Sequence, residues 1–387
     1  MTVPLHDVAI TGVYNTEQSR RLDRSTRDVL NEAALGAIAD AGLAADDIDA
    51  VVATNCHQIV FDLGLGAVRT RPSGPDIEGV LEAAGLLVTG QASAVLLVAA
   101  KASSFDRASV APWVRPANEF VVSHGLITPA EFAFMARRHM IEHGTTAEQM
   151  ATVAAQIRNN GHANPEAIYH GKGPFTVDDI LASPMVADPF HLLECATTSQ
   201  GGCAMVLTLA DRAGDARHPA AWLLGGGADR AGPSYQTSPS WDRVGFHGDD
   251  TVAGYVGRRA ARHAFGQAGV TPADVDVCEF YDPFSFEIIR QFEAFGFCDD
   301  GEGGDFVMDG RIALDGEFPI TTDGGLMSYS HAGSFPQQLQ RVIRAVEQVR
   351  GTCTANQVAA ADVAIASNGG SGALYTEVLL VGSSRAS

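Results

Sequence analysis

The sequence predicts an α/β protein built from two similar halves, the first carrying a helical insert. Three observations predict this. Near-continuous apolar runs of strand length alternate with helix-like stretches, which implies sheets covered on both faces. One stretch of the first half recurs in the second. Finally, a long segment between two first-half strands has its own helix signals.

The repeat pairs "ADAGLAADDIDAVVATN" (39–55) with "GQAGVTPADVDVCEFYD" (266–282) without a gap. Ala41-Gly42 matches Ala268-Gly269, and Asp47-Ile48-Asp49 matches Asp274-Val275-Asp276. Each glycine falls where a helix ends on a left-handed residue. A helix precedes each, spaced by Val29, Ala33, Leu35 and Ile38 or by Val256, Ala260, Ala264 and Phe265. A second correspondence links "SQGGCAMVLTLA" (199–210) with "SNGGSGALYTEVLLVG" (367–382), a glycine turn before a closing strand. The halves are assigned to 1–216 and 217–387. The expected strands are 8–12, 50–54, 94–100 and 204–208, then 221–225, 275–281, 363–366 and 375–381.

The insert covers about 103–193. "TPAEFAFMARRHMIEHG" opens with Thr128, Pro129 and Glu131 and stops at Gly144; "TTAEQMATVAAQIRNNG" pairs Thr145 with Glu148 and stops at Gly161. Both read as capping boxes with glycine stops. A helical insert of this size covers a pocket or builds an interface.

Composition narrows the function classes. A chain of 387 residues with 46% hydrophobic content supports a large core. The net charge of −20 disfavours nucleic acid and anionic lipid as partners. Six cysteines without a CxxC pair disfavour a zinc ribbon within this chain and suit buried thiols in a reducing, cytoplasmic setting. The first residues lack a basic stretch and an apolar run, so no signal peptide is expected, and "ASAVLLVAA" (92–100) is too short to span a membrane.

Several motifs invite chemistry. His139 and His143 lie four apart, but "HMIEH" misplaces the glutamate of a metalloprotease, so a solvated helix face is expected. Gly225 to Gly227 in "LLGGGADR" lack dinucleotide-binding spacing and read as a tight turn at a strand end. "CEFYDPFSFE" ends a strand with Tyr281-Asp282-Pro283, where open α/β sheets place active sites. Tyr281 there suits proton transfer; a half-buried aromatic beside a turn is the other reading. "GGLMSYSHAGS" (324–334) holds His331 among small residues, which suits either an acid–base residue with room for substrate or an ordinary loop histidine. The glycine turns around Ser199 and at Gly369-Gly370 offer N–H groups to an oxyanion, or simply close sheets.

Three stretches, "EHGTTAEQMATVAAQIRNNGHANPEAIY" (142–169), "DDILASPMVADPFHLLECATTSQGGCAMVL" (178–207) and "GGLMSYSHAGS", resemble the thiolase superfamily, in its sterol-carrier/lipid-transfer-protein branch. The resemblance spans Val8 to Gly382. It implies two βαβαβαββ halves in a five-layer αβαβα sandwich, with a loop domain in the first half. Thiolases place a nucleophilic cysteine ahead of a small-residue helix, here "IEGVLEAAGLLVTGQ" (77–91). The matching position falls at about Ser73, and no cysteine stands between Cys56 and Cys195. Tyr281 replaces a histidine typical of the branch. Together these departures resemble the lipid-transfer-protein aldolases of steroid side-chain breakdown, some of which carry a second tyrosine where His331 stands.

That resemblance implies retro-aldol cleavage of a β-hydroxyacyl-CoA without a cysteine nucleophile. Tyr281 and His331 are the expected acid–base pair, in either assignment, with Asp282 orienting Tyr281. Ser330, Ser199, Gly369 and Gly370 are the supporting or oxyanion groups. It also implies a homodimer and a small zinc-ribbon/OB-fold acyl-CoA-binding partner in an α2β2 assembly, with any zinc in that partner and no cofactor in this chain. The alternatives are a β-ketoacyl-CoA thiolase or acyltransferase and a non-catalytic thiolase-fold subunit.

Overall fold

A computed structural model describes residues 4–102, 128–232, 255–370 and 374–385. The start of the expected insert (103–127) and the end of the second glycine run (371–373) lie outside the described residues.

Nine strands form one sheet: β1 (Val8–Asn15), β2 (Ala50–Val52), β3 (Arg69–Arg71), β4 (Ala94–Lys101), β7 (Gly201–Leu209), β8 (Ala221–Arg230), β9 (Val277–Glu279), β10 (Val363–Gly370) and β11 (Tyr375–Gly382). A separate hairpin joins β5 (Met185–Ala187) and β6 (Phe190–His191). The strand order is β3-β2-β4-β7-β1-β8-β11-β10-β9. On one side, β2 runs parallel to β4, followed by antiparallel β7 and β1; on the other, β9 runs parallel to β10, followed by antiparallel β11 and β8. The same topology therefore occurs twice. Only Ala9–Trp222 and Ile10–Ala221 pair across the seam between β1 and β8.

The helices complete five layers. α1 (Thr26–Asp40) and α2 (Cys56–Leu63) cover one outer face, and α7 (Arg258–Ala268) and α8 (Ser285–Phe295) the other. Between them lie α3 (Ile77–Val88) and α9 (Ser334–Arg350). Each touches strands of both topological repeats. Their buried Val80, Ala83, Leu87, Leu339, Val342 and Val346 share one core with the sheet. From the insert come α4 (Thr128–His143), α5 (Ala147–Ala163) and α6 (Val177–Ala182).

Local chemistry explains the duplicated acidic turn. Gly42 and Gly269 end α1 and α7 with φ of 72° and 69°, a conformation glycine adopts without penalty. Asp47 accepts the Ala44 N–H at 2.8 Å, and Asp274 accepts that of Thr271 at 2.8 Å. Two residues on, Asp49 accepts the amides of Ser93 and Ala94, while Asp276 accepts those of Asp362 and Val363. The first aspartate of each pair closes a 3₁₀ turn and the second anchors the start of a neighbouring strand.

Several sequence expectations change. Gly225 to Gly227 are buried inside β8 rather than in a turn. A Cβ at Gly225 would sit 2.1 Å from the Ala264 carbonyl, and one at Gly227 2.6 Å from that of Ala260. Gly12 of β1 meets the Ala37 carbonyl of α1 in the same way, at 2.1 Å. These glycines let a helix backbone lie against a strand. The second proposed repeat holds for its strands but not its glycines: Gly201 and Gly202 open β7, whereas Gly369 and Gly370 end β10. The expected strand 275–281 shortens to Val277–Glu279, because the chain turns before Tyr281. The reciprocal capping box of α5 is Thr146–Gln149, one residue later than expected.

Thr145 is freed from that box and bonds His139 Nδ1 at 2.8 Å. His139 is fully buried, with Nε2 3.1 Å from Glu293 Oε2, so the expected solvated face is incorrect there. α4 turns this side onto α8, and the ring meets Phe286 edge-on.

Candidate active site

The chain leaves β9 at Glu279 and turns so that Tyr281 is buried beside the end of β10. Its N–H donates to Ser367 Oγ at 3.0 Å, and its carbonyl accepts from Gln291 Nε2 at 2.7 Å. Gly369 lies against the phenol: a Cβ there would be 3.3 Å from ring atom Cδ1. Both Gly369 and Gly370 are strand residues, paired with Thr376 and Tyr375.

Asp282 is fully buried. Its carboxylate accepts the N–H groups of Leu326 at 2.8 Å and Met327 at 3.1 Å. It thereby joins the Tyr281 turn to the single π-helical turn Gly325–Tyr329, a geometry often found at functional sites. Gly325 has φ 56°, and a Cβ there would lie 2.2 Å from Asp282 Oδ2. Only glycine meets both demands. Burial pushes the Asp282 carboxyl up to about 7, with Arg341 and the two amides opposing it.

The second loop continues through Ser330 to His331. Ser330 Oγ donates to Gln18 Oε1 at 2.7 Å and lies 3.0 Å from Ser199 Oγ. His331 exchanges two bonds with Ser199: its N–H donates to Ser199 Oγ at 2.8 Å, and its carbonyl accepts the Ser199 N–H at 3.1 Å. The segment 195–200 is thus bonded to both loops, since Ala196 N–H also donates to the Pro283 carbonyl and Thr197 N–H to that of Leu326. Of the residues singled out for proton transfer and its support, Tyr281 and Gly369 touch, Ser199, Ser330 and His331 form one bonded group, Asp282 links the two loops, and Gly370 packs on Tyr375 instead.

His331 is half-buried, and its Nδ1 has no hydrogen-bond partner among the described residues. Burial, and then the positive charge of Lys101, push its pKa down to about 4, with the Gln337 side chain opposing them. The imidazole is therefore neutral at physiological pH, with a buried, unpartnered nitrogen able to take up a proton. The thiols lack that readiness. Burial pushes the Cys195 thiol up to about 12 and holds Cys203 and Cys278 still higher. The thiolate is the nucleophilic form, so none of these three is primed for covalent catalysis. Ser73 lies ahead of α3 with its hydroxyl 3.4 Å from Glu82, and the helix is capped by a carboxylate, Asp76.

Sequence reasoning missed three contributors. Lys101 ends β4, and its side chain lies within contact distance of a Cβ built on Gly333. Gln18 receives Ser330. Arg158 of α5 is buried and donates to the carbonyls of Leu193, Cys195 and Met327. The signal for Arg158 was present: it continues the buried stripe of Ala151, Ala154 and Ile157, where a charge needs dedicated partners.

Comparison with known proteins agrees with this geometry. Residues 245–383 match the family model described as "Thiolase C-terminal domain-like". An acetyl-CoA acetyltransferase of Methanothermobacter thermautotrophicus is 32% identical over 95% of this chain and 97% of its own. A steroid side-chain-cleaving aldolase of Thermomonospora curvata is 32% identical over 89% of this chain and 90% of its own. Among solved structures, the "Ltp2-ChsH2(DUF35) aldolase" superposes with a TM-score of 0.84 at 29% identity, covering 97% of this chain and 98% of that one. The twice-built sheet, the central helix pair and these relatives place the chain in the thiolase superfamily, in its sterol-carrier/lipid-transfer-protein branch beside the steroid side-chain aldolases.

Proposed function

We propose that this protein is a carbon–carbon lyase that cleaves a β-hydroxyacyl-CoA by retro-aldol chemistry. The products are a ketone or aldehyde and a shorter acyl-CoA, and the favoured substrate carries a steroid or similarly bulky side chain. The observation that carries the reading is a neutral His331 with an unpartnered Nδ1, set in loops tied to the buried Tyr281, while burial holds the Cys195, Cys203 and Cys278 thiols protonated.

The reaction suits such a site. A base removes the β-hydroxyl proton, the C–O bond becomes a carbonyl, and the Cα–Cβ electron pair passes into the thioester as an enolate. An acid then protonates the enolate carbon. In our assignment His331 accepts the hydroxyl proton, and Tyr281 polarises and protonates; the reverse pairing uses the same atoms. The hydroxyls of Ser199 and Ser330 and the backbone at Gly369-Gly370 are the groups assigned to the developing oxyanion. A small partner of the DUF35 type, the kind named for the similar Ltp2-ChsH2 aldolase, is the proposed companion, with any zinc carried there. A homodimer completes the proposed α2β2 assembly.

The purified chain, alone and with such a partner, is tested on a β-hydroxyacyl-CoA and on a β-ketoacyl-CoA with free CoA. Release of a carbonyl compound and a shorter acyl-CoA from the first supports the lyase. CoA-dependent cleavage of the second alone would replace it with the acyltransferase reading, to which the archaeal relative lends weight. No turnover of either would leave the non-catalytic reading.

A further inference from the structure

The strongest unassigned feature is a cluster of cations around Tyr169. The Lys172 ammonium lies 4.3 Å from the ring centroid, the Arg158 guanidinium 4.4 Å and that of Arg20 5.5 Å. Arg20 also donates to the Tyr169 hydroxyl at 3.2 Å. Arg158 is buried and committed to backbone carbonyls, so it is fixed in place. Arg20 and Lys172 are exposed, and among the described residues neither has a carboxylate within ion-pair distance. The neighbouring Arg24 and Arg27, by contrast, are both paired. Three positive charges around one ring repel one another, and an anion of multiple charge relieves the repulsion.

The cluster is joined to the candidate active site on two sides. Tyr169 N–H donates to the Ser328 carbonyl, and Ile168 N–H to that of Tyr329, both at 3.2 Å. On the other side, Gln18 receives Ser330, and Ser19 bridges to Gln200, next to Arg20. Both limbs therefore grip the loop that carries His331. The phenol registers the surrounding charge: burial alone would raise its pKa, but Arg158, Arg20 and Lys172 together bring it below the ordinary tyrosine value.

We infer that Arg20, Lys172 and Tyr169 form a seat for phosphate groups, taking the nucleotide phosphates of an acyl-CoA whose thioester lies at His331. Arg20 offers a guanidinium fork, Lys172 a mobile point charge and Tyr169 a hydroxyl donor, a combination suited to phosphate oxygens. The inference rests on the acyl-CoA reading above, and two kinds of measurement separate the two.

The first is calorimetric titration of the wild-type protein and of Arg20→Ala/Lys172→Ala with CoA and with inorganic pyrophosphate, at two salt concentrations. Salt-sensitive binding that weakens about tenfold or more per cation removed supports the seat. The second compares steady-state kinetics on the acyl-CoA and on the same acyl group as a pantetheine thioester without phosphates. The seat predicts a loss confined to KM for the phosphate-bearing substrate. Equal losses on both substrates, or unaltered CoA affinity in the folded double variant, overturn it. If both phosphate ligands bind and the double variant loses them, yet neither thioester is cleaved, the seat stands and the lyase reading falls.

Discussion

His331 is the residue proposed as base, and its acidity is testable. Its folded pKa lies near 4, below the ordinary 6.5, so between these values the unfolded chain binds the proton that the folded chain refuses. Stability should therefore rise with pH across that window, and His331→Asn should flatten the rise in denaturation experiments. If His331 is the base, kcat/KM keeps its base-competent form down to about pH 4, and an acid limb near 6.5 that vanishes in His331→Asn would refute the depressed value. Tyr281→Phe and His331→Ala should each lower turnover roughly a hundredfold or more, as expected for a general acid or base; near-wild-type rates in folded variants would remove both from the mechanism. The sequence singles out Tyr281 by its place at a strand end before Asp282-Pro283 and His331 by its small neighbours, and these variants test that choice. The partner of Asp282 was not legible there. The expectation was that it orients Tyr281, whereas its two oxygens hold amides 44 and 45 residues away, a link that only the fold reveals.

Among the elements, the acidic turns show what a sequence repeat can disclose. The match of Asp47-Ile48-Asp49 with Asp274-Val275-Asp276 located two helix ends and two strand starts, because those aspartates bond backbone close by or at a neighbouring strand's first residues. Asp276→Ala should lower stability by about 1 kcal/mol in chemical denaturation, since two amides at the start of β10 lose their acceptor to water. The glycine-rich motifs were harder to interpret. Glycine in a turn and glycine beneath a crossing helix look alike in one dimension, so Gly225 to Gly227 were misplaced. Gly225→Ala should destabilise by roughly 1–3 kcal/mol or more, the cost of forcing a methyl into a filled contact with Ala264; an unaffected melting temperature would show that α7 can move away.

At the scale of the whole molecule, the buried ion network connects the central layer to the active loops. Arg341 of α9 is fully buried and holds Asp323 through two bonds, at 2.8 and 2.5 Å, with Glu279 at 3.5 Å. Asp323 in turn accepts the Gly325 N–H that opens the π-helical turn. Arg341→Met leaves two buried carboxylates without their cation and should cost about 3–5 kcal/mol, read from denaturant midpoints. A loss under about 1 kcal/mol would mean that protonation of Glu279, already pushed up to about 7 by burial, takes over the arginine's role. None of this was visible in one dimension. The arginine sits in a run, "QQLQRVIRAVEQVR", that reads as an ordinary amphipathic surface helix, and only its packing against both repeats of the sheet shows why its polar side is enclosed.

The two-pair seam between β1 and β8 has a mechanical consequence. Such a narrow strip of backbone pairing would serve as a hinge if nothing spanned it, but α3 and α9 lie across it like two cross-braces. The two sides are therefore braced against one another. The bracing holds the Ser199 segment of the first repeat in register with the loop of the second repeat that carries His331.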